Sequence, residues 1–243
     1  MCTLFSSLTA GFLAKNRDKN EPTEEEVLED DNVIAVRTKG GNYYGLGLNK
    51  FGCGFVSAAV NSPAWTQLAE TGKIEAARET YRLENFGLTS PTKFVSTLLA
   101  TEKTITPLVD AFLSGLEKFV GYNILLMDQE RAVWLETRGG ETHLVELSEE
   151  QVVTNHFASI PFGPKNYEDY PSSFSRSALA STELCVGGTE KLFSLLLPGG
   201  TVGDQIWRYG NFFTVSSSIL DLKNRRLHYC GQSESEYRTF QFS

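Results

Sequence analysis

Residues 1–18 read MCTLFSSLTAGFLAKNRD. Two strand-like runs, residues 3–8 and 11–16, flank Thr9-Ala10, a hairpin-like break. A terminus tied into a strand is held in the fold instead of fraying. At its head stands Cys2, directly behind the initiator methionine. Methionine is normally clipped when the next residue is this small, so the mature chain is expected to begin with a thiol and a free α-amine on one carbon. An α-amine has a pKa of about 7.7–8.0, so at neutral pH a useful fraction can accept the thiol proton. Nucleophile and base together are the minimum equipment for covalent acyl transfer. Taken alone, a cysteine near a terminus is as readily a small buried hydrophobe, so its partners decide. The hairpin returns Lys15-Asn16-Arg17-Asp18 to the side of Cys2, where the Asp18 carboxylate is placed to accept from the amine or thiol.

Composition narrows the class. The chain has 243 residues, read as a single domain over 1–243, with 41% hydrophobic and 12% aromatic residues, ample for a sizeable core. Its 22 basic against 30 acidic residues give a net charge of −8, which argues against a nucleic-acid surface. No apolar run approaches the ~18 residues of a membrane span. The first fourteen residues lack a basic start and carry Ser, Thr and Gly throughout, unlike a secretory signal. Cys2, Cys53, Cys185 and Cys230 show no CxxC spacing and read as reduced thiols of a cytoplasmic protein. His143, His156 and His228 stand singly, so neither a metal site nor a cofactor is expected.

Strands are expected over 33–38, 43–48 and 54–60, separated by Gly40-Gly41-Asn42 and by 49–52. Small residues crowd 43–59, as where strands are buried on both faces or approach a ligand closely. The acidic stretch 21–31 reads as a solvated loop or short surface helix. Helices follow over 64–82 and 92–100, and a third opens at Thr106-Pro107, its apolar stripe running through Leu108, Phe112, Leu116 and Phe119. Strands resume at 122–127, 131–136, 143–146 and 152–155. Helices at 172–182 and 188–197 come next, then strands at 212–222, 226–230 and 237–242. Hairpins dominate this order, which gives an α+β fold with antiparallel sheets. Two sheets stacked face to face with helices outside account for strands lacking a polar face.

Four local patterns join Cys2. Asp18 ends the second strand. Asn61 closes a strand before Ser62-Pro63, Asn155 closes another in Val153-Thr154-Asn155-His156, and Arg176 lies near a helix start. Neutral amides at strand ends suit an oxyanion hole, where one donor is worth about 2.7–4 kcal/mol. This ordered set resembles the N-terminal nucleophile hydrolases, in particular the choloylglycine hydrolase, penicillin V acylase and acyl-CoA:6-aminopenicillanic acid acyltransferase group. The resemblance implies a four-layer αββα sandwich and an enzyme that cleaves or transfers at non-peptide carbon–nitrogen amides through a thioester. It implies Cys2 as nucleophile, Asp18 as its orienting group, Asn61 and Asn155 lining the oxyanion and amine sites, and Arg176 organising the pocket's charge. Where that group has an arginine three residues before the aspartate, this chain has Lys15, and Arg17 directly precedes Asp18. The segment around Asn16-Arg17-Asp18 is also similar to the NRDE-motif proteins, which share the cysteine after the initiator. His156, beside Asn155, is expected to pack or hydrogen-bond locally. The expected partner is a small amide or acyl substrate, and a homo-oligomer is compatible with this reading. The competing expectation is a non-catalytic protein of the same fold that binds an apolar or lipid-like ligand among Trp65, Phe157, Phe162, Tyr167, Tyr170, Trp207 and Tyr209. The loop 157–170 is expected to shape the pocket mouth.

Overall fold

The computed structural model describes residues 2–187, 196–197 and 206–242, without the side chains of 185–187. Two sheets carry the fold. The first has the order β10 (Gln151–Val153), β1 (Cys2–Ser7), β2 (Phe12–Lys19), β11 (Phe213–Asp221), β12 (Arg226–Gly231) and β13 (Arg238–Gln241). The second runs β3 (Glu25–Glu29), β4 (Val33–Thr38), β5 (Tyr44–Asn49), β6 (Gly54–Ala59), β7 (Phe119–Met127), β8 (Ala132–Gly139) and β9 (Glu141–Glu146). Every strand ladder among the described residues is antiparallel. Helices α1 (Pro63–Glu70), α2 (Ile74–Glu84), α3 (Pro91–Leu99) and α4 (Thr106–Leu113) connect β6 to β7, and α5 (Pro171–Gly187) follows β10.

Three apolar layers explain the stacking. Leu4, Leu13, Leu220 and Leu227 of the first sheet meet Ile34, Val36, Leu46, Leu48 and Leu125 of the second. On the outer face of the second sheet, Val95, Leu99, Leu108 and Phe112 of α3 and α4 cover Phe55, Ile124 and Leu126. On the outer face of the first, Ala180 and Leu184 of α5 cover Phe5, Ala14 and Ile219. Helix, sheet, sheet, helix is the α+β sandwich expected from strands with no solvent face. Each such leucine or phenylalanine contributes about 1.5–3 kcal/mol by leaving water. The small residues of β5 and β6 let the sheets approach: a Cβ on Gly54 would stand 2.6 Å from Leu222 Cδ2.

Three local expectations are corrected. The acidic stretch 21–31 contains a strand, β3, where a loop or helix was expected. Its Val27 pairs with Val36 and packs on the inter-sheet core, Glu26 pairs with Arg37 at 2.7 Å, and Glu25 turns inward to Arg17. Charges on an edge strand also discourage pairing with another sheet. The single helix over 64–82 is two, parted at Gly72, whose φ of 74° belongs to the left-handed region. The stripe after Thr106 ends early: α4 stops at Leu113, Leu116 is 88% exposed, and Phe119 opens β7. The helix expected over 188–197 lies almost wholly outside the described residues, as does the Cys185 side chain.

Candidate active site

The site begins with the register of the first hairpin. Cys2 pairs with Arg17 and Leu4 with Lys15. Opposed residues on antiparallel strands share a face, so Cys2, Lys15 and Arg17 turn toward the second sheet while Thr3, Asn16 and Asp18 turn toward α5. Cys2 is 7% exposed. Burial raises the pKa of its thiol, but the positive charges of Lys15 and of the chain terminus outweigh that, and the backbone N–H of Asp18 donates to the sulfur; the net shift is downward. Lys15 is buried, donates from Nζ to Gly45 O at 3.1 Å, and is pushed below the usual lysine range, first by burial.

Behind the strand, Arg176 of α5 clamps the first residues. Its Nη1 donates to Cys2 O at 3.0 Å and to Thr3 Oγ1 at 2.6 Å, and its Nη2 donates to Asn155 Oδ1 at 3.3 Å. The Asp18 carboxylate lies 3.7 Å from Arg176 Nη1 and accepts from Thr214 Oγ1 at 2.8 Å. Asp18 therefore reaches the sulfur through its backbone and reaches Arg176 through its side chain. Asn155 Oδ1 accepts from Cys2 N at 2.7 Å, while its Nδ2 donates to Ala59 O at 2.7 Å and its own N–H to Ser173 Oγ at 3.0 Å. One carboxamide thereby ties β1 to the end of β6 and to α5.

Cys2 opens on a cavity of about 380 Å³, lined also by Lys15, Arg17, Lys19 and Asn61. Asn61 is fixed by its neighbours: Val60 N donates to Gly121 O at 2.9 Å, and Ser62 Oγ caps α1 by accepting from Trp65 N at 3.1 Å. Asn155 and Arg176 lie behind the wall, outside the lining. The Arg17 guanidinium is engaged by an ion pair with Glu25 and a 3.0 Å bond to Thr38 Oγ1. His156 stacks on Phe174 with ring centroids 4.0 Å apart, and its Nδ1 lies 3.0 Å from Ser173 Oγ. Burial, then the charges of Arg176 and Lys165, hold its pKa down at about 4. It supports the wall through Ser173 and stays out of the cavity.

The expected aromatic lining is corrected. Of the seven rings named from sequence only Trp65 faces this cavity, joined by Tyr43, Tyr44, Tyr81, Tyr122 and Phe212. Phe157 and Phe162 pack instead against Val60 and Ile160, Tyr170 is buried, and Tyr167 and Tyr209 are 59% and 67% exposed. Loop 157–170 contributes nothing to the lining, because Glu136 gathers its backbone: Glu136 Oε2 accepts from Ser159 N at 2.8 Å and from Ile160 N at 3.2 Å. Sequence reading missed Lys19, although Lys15, Arg17 and Lys19 alternate along β2 and so share a face.

The N-terminal hairpin inside two stacked antiparallel sheets is the fold of the N-terminal nucleophile hydrolases. Among solved structures the chain is similar to conjugated bile acid hydrolase from Clostridium perfringens, with TM-score 0.62 and 10% identity over 99% of this chain and 92% of that one. It is similar to the Caenorhabditis elegans ortholog of N-acylethanolamine-hydrolyzing acid amidase, with TM-score 0.61 and 15% identity over 91% and 93%. Penicillin V acylase from Agrobacterium tumefaciens follows at TM-score 0.52 and 11% identity over 99% and 86%. No family model and no curated protein matches the sequence. At these identities the likeness is one of fold.

Proposed function

We propose that the protein is a single-domain cysteine amidohydrolase or acyltransferase that acts on a small non-peptide amide. The observation that carries this reading is the seating of Cys2: the sulfur faces a 380 Å³ cavity beside Lys15, and the nitrogen on the same residue is held 2.7 Å from Asn155 Oδ1. Once Met1 is removed, that nitrogen is a primary amine. It takes the thiol proton, and the thiolate attacks the amide carbon. Asn61, in the lining, donates to the oxyanion, and the Lys15 charge stabilises thiolate and oxyanion in turn. The C–N bond breaks, the departing nitrogen takes the proton back from the α-amine, and a thioester remains on Cys2. Water or a second amine then attacks the thioester and releases the acyl group. Asp18 and Arg176 act by position. They fix the first residues of β1 from behind, and Asn155 aims the amine.

Fold similarity to three amide-cleaving proteins supports the reaction class. Buried free thiols at Cys53 and Cys230 support a reducing, cytoplasmic setting. No helix among the described residues is long and apolar enough to cross a membrane. The aromatic lining favours a second reading, a binder without turnover. A panel of N-acyl amides separates the two: Cys2→Ser should lower turnover by at least about 10³-fold for an enzyme. If the unaltered protein shows no turnover while both forms bind the same amides equally, the binder stands.

A further inference from the structure

Among the described residues of the cavity, the proposed reaction leaves one cation unused. Lys15, Arg17 and Lys19 project from one face of β2, and all three line the cavity. Arg17 is neutralised by Glu25, and Lys15 lies where a Cys2 thiolate would balance it. Among the described residues the single acidic one of the lining, Asp18, turns its carboxylate to Thr214 and Arg176. Lys19 is half-buried and has neither an ion pair nor a hydrogen-bond acceptor for its ammonium among the described residues. Burial, then repulsion from Arg17, pushes its pKa down to about 8, against the attraction of Cys2 and Glu25. Asn20, next in the chain, adds a carboxamide to the same lining.

The spacing gives a ruler. Arg17 is the register partner of Cys2, and Lys19 lies two residues farther along the strand, which is about 7 Å at a rise of about 3.3 Å per residue. We propose that the substrate is an amide bearing a fixed anion, a carboxylate, sulfonate or phosphate, which Lys19 binds at that distance from the carbonyl attacked by Cys2. The proposal rests on Cys2 being the nucleophile, and its test separates the two.

Binding is measured by calorimetry on the Cys2→Ala protein, which has no thiol to acylate. One probe, N-hexanoyl-4-aminobutyrate, carries its acid on the amine half. The other, the mono-butylamide of glutaric acid, carries it on the acyl half. Each is paired with its neutral primary-carboxamide isostere. At least one acid should bind tenfold or more tighter than its isostere, and the half that carries it identifies the anion's place. Adding Lys19→Met should bring the ratio toward one, whereas Lys19→Arg should keep it. Equal binding of acids and isosteres, or a ratio that survives Lys19→Met, overturns the proposal. Turnover of the same probes by the unaltered protein is scored separately. Hydrolysis with no preference for acids keeps the nucleophile and discards the anion site. Acid-selective binding without Cys2-dependent turnover does the reverse.

Discussion

The lowered thiol pKa of Cys2 is a balance between burial, which resists ionisation, and positive charge, which favours it. Cys53 and Cys230 have the burial with a carboxylate as the leading charge, Asp128 and Glu234 respectively, and are pushed up to about 12 and about 11. Iodoacetamide at pH 7 should therefore label Cys2 while Cys53 and Cys230 stay unmodified, as peptide mapping by mass would record. Lys15→Met should move the midpoint of the Cys2 labelling profile to higher pH; an unmoved midpoint would remove Lys15 from the account. Arg176 calls for a different measurement, since it touches no part of the cavity. Arg176→Met removes the cation beside the buried Asp18 carboxylate and one donor from each of three oxygens, and urea unfolding should show a loss of about 3–5 kcal/mol. Arg176→Lys keeps the charge but loses the fork and should fall between. Cys2, Asp18, Asn61, Asn155 and Arg176 were all legible as candidates because each sits at a strand end or helix start with an unusual neighbour. What could not be read was which face each side chain takes. That depends on register, and the Cys2–Arg17 pairing is what turns the Asp18 carboxylate away from the sulfur.

Elements were legible where one force dominated. The pattern of residues 33–38 gives β4 to the residue, because the strand is apolar and bounded by turns. The stretch 21–31 was misread because its partner charges, Arg17 and Arg37, lie on other strands and composition alone suggests solvent. The turn after β6 shows how an element sets the site. A Cβ on Gly121 of β7 would stand 2.4 Å from Val60 O, the carbonyl just before Asn61. Gly121→Ala should displace that turn, lowering both stability and kcat. Gly140→Ala, where a Cβ meets nothing within 4 Å, should stay within about 0.5 kcal/mol of the unaltered protein. Thermal melting and amide turnover of the pair test this; equal behaviour would mean that the Val60–Asn61 backbone is free to yield.

Across the whole molecule, the sandwich places the first residue of β1 where α5, the end of β6 and β10 converge, so the site and the inter-sheet core share one stability. His156 couples that stability to pH. Its folded pKa of about 4 lies below the ordinary ~6.5 of an unfolded chain, so the unfolded state binds the proton first. The contribution is complete above about pH 6.5 and is lost as pH falls toward 4. Urea midpoints should decline across that window, and His156→Gln should flatten the decline; an unchanged slope would place the acid sensitivity elsewhere. The α+β stacking was legible from hairpin order and from strands without a polar face, whereas the cavity lining was not, since its rings come from four separate elements and two loops. The most direct measurement of the central claim is the intact mass of the purified protein before and after reaction with a thiol-directed amide analogue. A Cys2 nucleophile with a free α-amine should give a chain one methionine short that gains a single adduct, mapped to Cys2. A retained Met1, or a Cys2 left bare while the adduct sits elsewhere, would contradict it.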